Sequence, residues 1–409
     1  MRGGPSNPGH ATGRPLLFSV YVPTLILAFC QGLLLPVLPL YVRSFAVSYG
    51  LVGLVLAGQG IGMLVGDLPA GILLGRLGKK RSMLIGVAGV ALANLGLFLS
   101  GSLALVFLLR FATGMCAAMW NLARHAYLVS NAPLGRRGRA IAGFGGTVRV
   151  GTFVGPAAGG TLARLLGFRL PFLAFALMAG VALAVLALSV AKDHAESGKS
   201  LSPQWRNMLH VFREHSRQLI TGGSGQFLAQ AIRVGRTIIL PLYAAEAIGL
   251  DVQSVGLMLS VSSFVDMLMF YPAGMIMDRF GRKYAIIPCF LIQAMGMAFV
   301  PLTGSFLGLL FVAVFIGFGN GLGSGTMMTL GGDLAPPGNV GEFLGLWRLF
   351  GDGGQVGSPL AVGAVAQLFG LAASSLLLSA IGFLSASIFG FLLPETLRKE
   401  AAPPGNQNR

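Results

Sequence analysis

Apolar stretches of helical length alternate with short polar turns along the chain. They run approximately over 16–42, 50–74, 83–101, 103–129, 139–163, 170–191, 219–245, 252–277, 284–304, 306–330, 343–368 and 371–393. Each of the twelve is close to the roughly 20 residues that cross a hydrocarbon layer about 30 Å thick, so the pattern predicts twelve transmembrane helices. Very short turns join the third run to the fourth and the ninth to the tenth. The longest polar interruption, Ala191–Leu219, separates six runs from six. It predicts an all-α integral membrane protein with a tail at 1–15, a six-helix bundle at 16–191, a linker at 192–218, a second bundle at 219–394 and a tail at 395–409.

The two halves repeat each other. "DLPAGILLGRLGKKRSML" at Asp67–Leu84 returns as "FYPAGMIMDRFGRKYAII" at Phe270–Ile287, with Gly274 − Gly71 = 203. The same offset of 203 aligns Gly53 with Gly256, Gly138 with Gly341, Arg139 with Glu342 and Pro156 with Pro359. A fixed offset held over so many landmarks is an internal repeat. "LPLY" at Leu38–Tyr41 also returns at Leu240–Tyr243, one residue out of step. Two parallel copies of a six-helix unit, with a binding site near the midplane between them, form the architecture of a rocking transporter.

Composition agrees: 54% of the 409 residues are hydrophobic, 10% are charged and 61 are glycine, which is membrane-protein usage. The formal charge of +16 raises nucleic acid as a partner. Its placement excludes one. With both termini cytoplasmic, 20 of the 29 Lys and Arg fall on cytoplasmic segments, three (Arg43, Arg164, Arg169) fall outside and six lie within helices. That asymmetry reports topology. The first run far exceeds a signal core of about 7–15 residues and carries Pro23, Gln31, Pro36 and Pro39, so it is a retained helix. Cys30, Cys116 and Cys289 are too few and scattered for a disulfide framework or a metal site. Neither a metal-ligand cluster nor a nucleophile–base constellation appears, so no enzymatic activity and no cofactor is expected.

Gly274–Lys283 reads G-M-I-M-D-R-F-G-R-K and resembles the signature that follows the second helix of each half in the major facilitator superfamily. "GLLLPVLP" in helix 1, "LLRFATG" at Leu108–Gly114, "GTFVGPAAGGTL" at Gly151–Leu162 and "LPET" at Leu393–Thr396 are similar to the twelve-helix drug–proton antiporter branch. The resemblance covers the whole chain. It implies coupled export against protons, with helices 2 and 11 and helices 5 and 8 packed across the interface between halves and helices 1, 4, 7 and 10 lining the cavity.

Charges inside a membrane are expensive and mark functional positions. In the implied arrangement Arg149 lies ten residues above Arg139, about 15 Å, and Asp266 twelve above Asp278, about 18 Å. Their depths match, so the two are expected to pair. Asp67 and Arg348 fall at about one depth on the other seam, and Asp352 shares a face with Arg348 at i, i+4, so the three are expected to cluster. Arg233 and Arg236 on one face of helix 7, with Arg110 on helix 4, have no evident acid. They either line the cavity, which argues against a cationic substrate, or cap carbonyls where helices break. Arg110 matches the helix 4 arginine of the antiporter pattern, which the resemblance places near a proton route. Leu27 stands where tetracycline-type exporters carry an acid, leaving Asp67, Asp266 and Asp352 as proton carriers. Arg124 and His125 are expected to be solvated.

Gly155, Pro156, Gly159 and Gly160 suit a moving joint, because glycines admit close helix contact and proline breaks one ladder bond. The loop Gly71, Gly75, Arg76, Gly78, Lys79 and its repeat Gly274, Asp278, Arg279, Gly281, Arg282 are candidate gates. The acid of the second loop has no counterpart in the first, while the facing helix starts carry Arg139 and Glu342. Two latches are therefore expected, Asp278–Arg139 and Glu342 with Arg76 or Lys79. The resulting expectation is a monomeric, proton-coupled exporter of small amphiphilic or drug-like molecules in a bacterial cytoplasmic membrane. The alternatives are an exchanger or importer of organic anions using Arg233 and Arg236, and a non-transporting receptor of the same fold.

Overall fold

The computed structural model describes residues 16–131, 137–190 and 204–397, and the described secondary structure is all helical. Helix 1 spans Leu17–Arg43, helix 4 Leu103–Asn131, helix 5 Arg137–Leu166, helix 6 Leu170–Ser189 and helix 7 Ser216–Glu246. Helix 8 spans Val252–Arg279, helix 9 Lys283–Leu302 and helix 10 Phe306–Leu334. Two longer stretches, Tyr49–Leu99 and Val340–Leu392, each break once. Gly78 (φ 78°, ψ 170°) and Gly370 (φ 86°, ψ 171°) leave the helical region there. The first stretch is thus helices 2 (49–77) and 3 (79–99), and the second is helices 11 (340–369) and 12 (371–392). Only helices 5 and 7 fall short of an apolar span by composition, because they carry Arg149, Arg233 and Arg236. The chain enters helix 1 and leaves helix 12 at the same end of the bundle, here the terminal end; the opposite end is the distal end.

The repeat extends to the turns. Positive backbone angles recur with Gly281 − Gly78 = 203, Gly370 − Gly167 = 203 and Gly249 − Ala46 = 203. The two "LPLY" tyrosines do one job: Tyr41 donates to the Ser100 carbonyl between helices 3 and 4, and Tyr243 to the Pro301 carbonyl in the last turn of helix 9, before helix 10.

Packing within each bundle is set by glycine. A side chain at Gly62 or Gly114 would strike backbone of the partner helix at Phe111 or Gln59, holding helices 2 and 4 together. Gly151, Gly155 and Gly159 hold helix 5 against Ala28, Gly32 and Leu33 of helix 1 in the same way. Such close approach replaces the hydrophobic drive that lipid cannot supply between helices. Helix 10 departs from the single expected run. It breaks at Gly323–Gly325, with Gly325 at φ 74°, between Phe306–Leu322 and Thr326–Leu334. Part of the expected linker forms a further helix, Gln204–Glu214.

At the distal end Asp251 caps helix 8, accepting from the Ser254 amide at 2.9 Å, and pairs with Arg164 of helix 5 at 3.1 Å. The Ser254 hydrogen bonds, then Arg164, hold its carboxyl below the usual 3.8. A depressed folded value means the stabilisation is complete above the unfolded value and is lost as pH falls through the folded one. The melting-temperature gap between wild type and Asp251→Ala is therefore expected to persist from neutral pH to about 3.8 and to close only in stronger acid. A gap that closes near pH 5 would contradict this assignment.

Candidate functional site

A cavity of about 280 Å³ lies between the bundles, walled by helices 1, 2, 3, 4, 6, 7 and 11. Its surface is largely aliphatic and aromatic, with Leu34, Leu38, Leu56, Val90, Phe175 and Ile238 among its walls. The amides of Gln31, Gln59, Asn94 and Gln355 interrupt it. Its one charged wall residue is Arg110, which is 8% exposed; its Nε is buried without a partner.

The helix 7 arginines lie elsewhere. Val234, Thr237 and Ile238 are the helix 7 residues in the wall. Arg233 instead donates to the Gly323 carbonyl at 2.8 Å and lies over the Phe290 ring, so it caps the break in helix 10. Arg236 has Asp266, Arg233 and Arg149 as charged neighbours, and its Nε is unpartnered. Arg124 is not solvated. It is 9% exposed, held between Trp120 and Phe144 at 5.1 and 4.5 Å, because cation–π contact replaces part of its hydration. His125 donates from Nδ1 to the Asn121 carbonyl at 2.9 Å.

Each seam between the bundles carries an ion pair near mid-depth. On the helix 5–8 seam Arg149 meets Asp266 at 2.8 Å. Arg149 also donates to the Asp266 carbonyl and to Ser324 Oγ in the helix 10 break, while Asn320 donates to Asp266 at 3.0 Å. On the helix 2–11 seam Arg348 is shared by two acids, Asp67 at 3.1 Å and Asp352 at 3.4 Å. Both groupings are those the sequence depths predict.

Above these pairs the seams are shut at the distal end by backbone contact. Gly53 of helix 2 lies against the Pro359 carbonyl and Gly363 of helix 11, and Gly256 of helix 8 against the Pro156 carbonyl and Gly160 of helix 5. With Pro359 − Pro156 = 203 and Gly363 − Gly160 = 203, the two contacts are copies of each other. The ladder bond that Pro156 disturbs is compensated across the seam, where the Ala157 amide donates to Ser260 Oγ at 2.9 Å. Arg43 and Glu246, 203 residues apart, pair at 2.9 Å, and Tyr49 donates to the same carboxylate at 2.6 Å. At the terminal end, among the described residues, no atom lies within 4 Å of a Cβ placed at Gly75, Gly274 or Gly341, and only Leu122 at Gly71. Among the described residues the seams are closed distally by backbone contact and show no such contact at the terminal end.

The sequence matches the Major Facilitator Superfamily over residues 21–232 and again over 222–408. The chain belongs to that superfamily. An uncharacterized MFS-type transporter of Methanocaldococcus jannaschii is 22% identical over 87% of this chain and 92% of its own. Multidrug resistance protein 2 of Bacillus subtilis is 26% identical over 73% of this chain and 76% of its own. Among solved structures, a D-xylose–proton symporter aligns with TM-score 0.75 at 16% identity, covering 94% of this chain and 98% of its own. A bacterial homologue of the lysosomal transporter Spinster, inward-facing and unoccupied, aligns with TM-score 0.75 at 14% identity over 93% and 97%. These two likenesses concern the fold.

In this major facilitator the signature loops tie helices within a bundle. Lys80 donates to the carbonyls of Ala187 and Val190 at the end of helix 6, and Lys283, with Lys283 − Lys80 = 203, to that of Gly390 at the end of helix 12. Arg282 pairs with Asp278 at 3.5 Å and with Asp333 of helix 10 at 2.9 Å. Asp278 thus has a partner in its own loop, and the side chain of Arg139, its expected partner, lies outside the described residues. Lys79 donates to Ser130 Oγ of helix 4 at 3.2 Å, within its own bundle. Arg279 lies against the Phe280 ring, and Gly281 turns the loop at φ 126°. "LPET" acquires a role: Glu395 accepts from the Arg282 and Lys283 amides at 2.9 and 3.0 Å, capping helix 9. Burial pushes its carboxyl up, but the amides of Leu397, Lys283, Arg282 and Thr396 outweigh that and hold it low.

The distal latches were absent from the sequence expectation. Their signal was present, since Arg43 and Glu246 stand at the repeat offset with opposite charge.

Proposed function

We propose that this protein is a secondary active transporter that works by alternating access and exports small amphiphilic molecules in exchange for protons. The observation that carries the reading is an apolar, amide-studded cavity between two bundles whose seams, among the described residues, are shut by backbone contact at one end and show no such contact at the other. The Bacillus subtilis relative named for multidrug resistance supports efflux. The basic residues gathered at the terminal end support a cytoplasmic location for both termini, in a bacterial cytoplasmic membrane. On that orientation the structure faces inward, as does the Spinster homologue.

Proton coupling rests on the helix 2–11 seam. One guanidinium serves two carboxylates there, so one negative charge is uncompensated and a proton has a place to go. Protonating Asp67 transfers Arg348 to Asp352, on its own helix, and removes the mid-seam tie. Protonating Asp352 leaves Arg348 with Asp67 and keeps the tie. Uptake of a proton is thereby linked to parting of the seam, through the differential stability of two states. On the other seam Arg149–Asp266 serves as a fixed tie, and Gly155, Pro156, Gly159 and Gly160 as the joint on which helix 5 rocks.

The test is purified protein in liposomes with an imposed pH gradient and 1-naphthalenesulfonate as a fluorescent amphiphile. Gradient-dependent flux is expected, reduced about tenfold or more by Asp67→Asn or Asp352→Asn. Flux that ignores the gradient removes the proton, and no flux of any amphiphile removes the transporter reading.

A further inference from the structure

The unpartnered guanidinium of Arg110 asks for an anion that the chain does not supply. Placing a cation in a low-dielectric site costs several kcal/mol unless it is paired, and the other buried arginines have some relief, Arg236 only from Asp266 as a charged neighbour, with its Nε also unpartnered. Arg149 has Asp266, Arg233 has a carbonyl and an aromatic face, and Arg124 has Asn121 and two rings. Arg110 accepts none of these solutions: among the described residues no acceptor lies within hydrogen-bond reach of it, and no ring covers it. Among the described residues no carboxylate stands in the cavity wall. The cavity therefore holds one positive charge, four neutral amides and an aliphatic and aromatic surface, closed over at the distal end.

We infer that the cavity selects amphiphilic organic anions, a carboxylate or sulfonate on a compact apolar body, with the anionic group on Arg110. The body lies against Leu34, Leu38, Leu56, Val90, Phe175 and Ile238, and the amides of Gln31, Gln59 and Gln355 supply further polar contacts. A guanidinium suits such a group because its planar fork matches two acceptor oxygens. A cationic amphiphile meets the same charge with nothing to offset it. The cavity volume of about 280 Å³ suits a one- or two-ring acid and is too small for a two-chain lipid. The inference rests on the transporter reading above and names its substrate class. It places the anion on helix 4, where the sequence had pointed to Arg233 and Arg236.

The experiment is equilibrium binding of tritiated 1-naphthaleneacetate and of its neutral amide, 1-naphthaleneacetamide, to the full chain in phosphatidylcholine nanodiscs. The two probes share shape and apolar area and differ in charge. Wild type is expected to bind the acid about tenfold or more tightly than the amide. Arg110→Gln is expected to lose that preference while keeping a cooperative thermal melt, which shows the variant is folded, and Arg110→Lys to recover part of it. Equal affinities in wild type, an undiminished preference in Arg110→Gln, or binding of neither probe overturns the inference. Adding phosphatidylglycerol is expected not to displace the acid; displacement shows that Arg110 serves a lipid headgroup, and also overturns it. No gradient is involved, so failure here leaves gradient-driven naphthalenesulfonate flux standing, and failure of the flux leaves the acid preference standing.

Discussion

Replacing Gly53 and Gly256 together by valine is expected to lower transport about hundredfold or more without unfolding the protein. At Gly53 even a Cβ falls on the Pro359 carbonyl, and at Gly256 on the Pro156 carbonyl. Those atoms belong to helix backbone and cannot turn aside as a side-chain tip does. The seams must therefore open by the depth of a side chain at their distal end. Each bundle keeps its own packing, because Gly62, Gly114, Gly151, Gly155 and Gly159 are untouched. The distal-open state has no such contact and is spared, so the substitution shifts the population of two states. About 1.4 kcal/mol changes that ratio tenfold, and a clash on each seam exceeds it. A cysteine at Gln355, in a background lacking Cys30, Cys116 and Cys289, is expected to become reactive to a membrane-impermeant maleimide from the distal side. Wild-type flux, or an unreactive cysteine, would show that these contacts do not close the distal mouth.

Neutralising either member of the Arg149–Asp266 pair is expected to cost more than neutralising both. The two side chains are 18% and 16% exposed, so removing one strands the other where water barely reaches. Losses for broken buried pairs run at roughly 3–5 kcal/mol, and the lower end applies here. Arg149 keeps Ser324 and the Asp266 carbonyl, and Asp266 keeps Asn320. Arg149→Gln and Asp266→Asn should each lower the melting temperature of the purified protein, and the double variant should regain most of the loss. Because the pair joins opposite bundles, the singles should also lose transport. Additive losses around the four-protein cycle would mean the two side chains are not coupled.

The depth of a charge was legible in the sequence because a helix advances a fixed rise per residue. Counting from the loops placed Arg149 level with Asp266 and gathered Asp67, Arg348 and Asp352. The turns were legible too, since a left-handed backbone favours glycine and the chain repeats it at Gly78 and Gly281 and at Gly167 and Gly370. The distal latches were half legible: Arg43 and Glu246 stand at the repeat offset, but charge reversal between two loop-end residues names no contact until the bundles are docked.

Apolar periodicity, the two-fold repeat and the distribution of Lys and Arg determined, by themselves, an all-helical two-fold membrane bundle; the family was carried by motif stretches such as Gly274–Lys283 and Gly151–Leu162. Tertiary structure alone decided which way each buried arginine turns. Arg233 and Arg110 sit on helices with equal claims to the cavity, yet one reaches a carbonyl freed by the Gly323–Gly325 break and the other meets no acceptor. The break itself depends on neighbours that satisfy its backbone, and the azimuth of a helix depends on which glycines let another backbone approach. Sequence spacing measures position along a helix; the partner of a side chain is set by what the surrounding helices present at that depth.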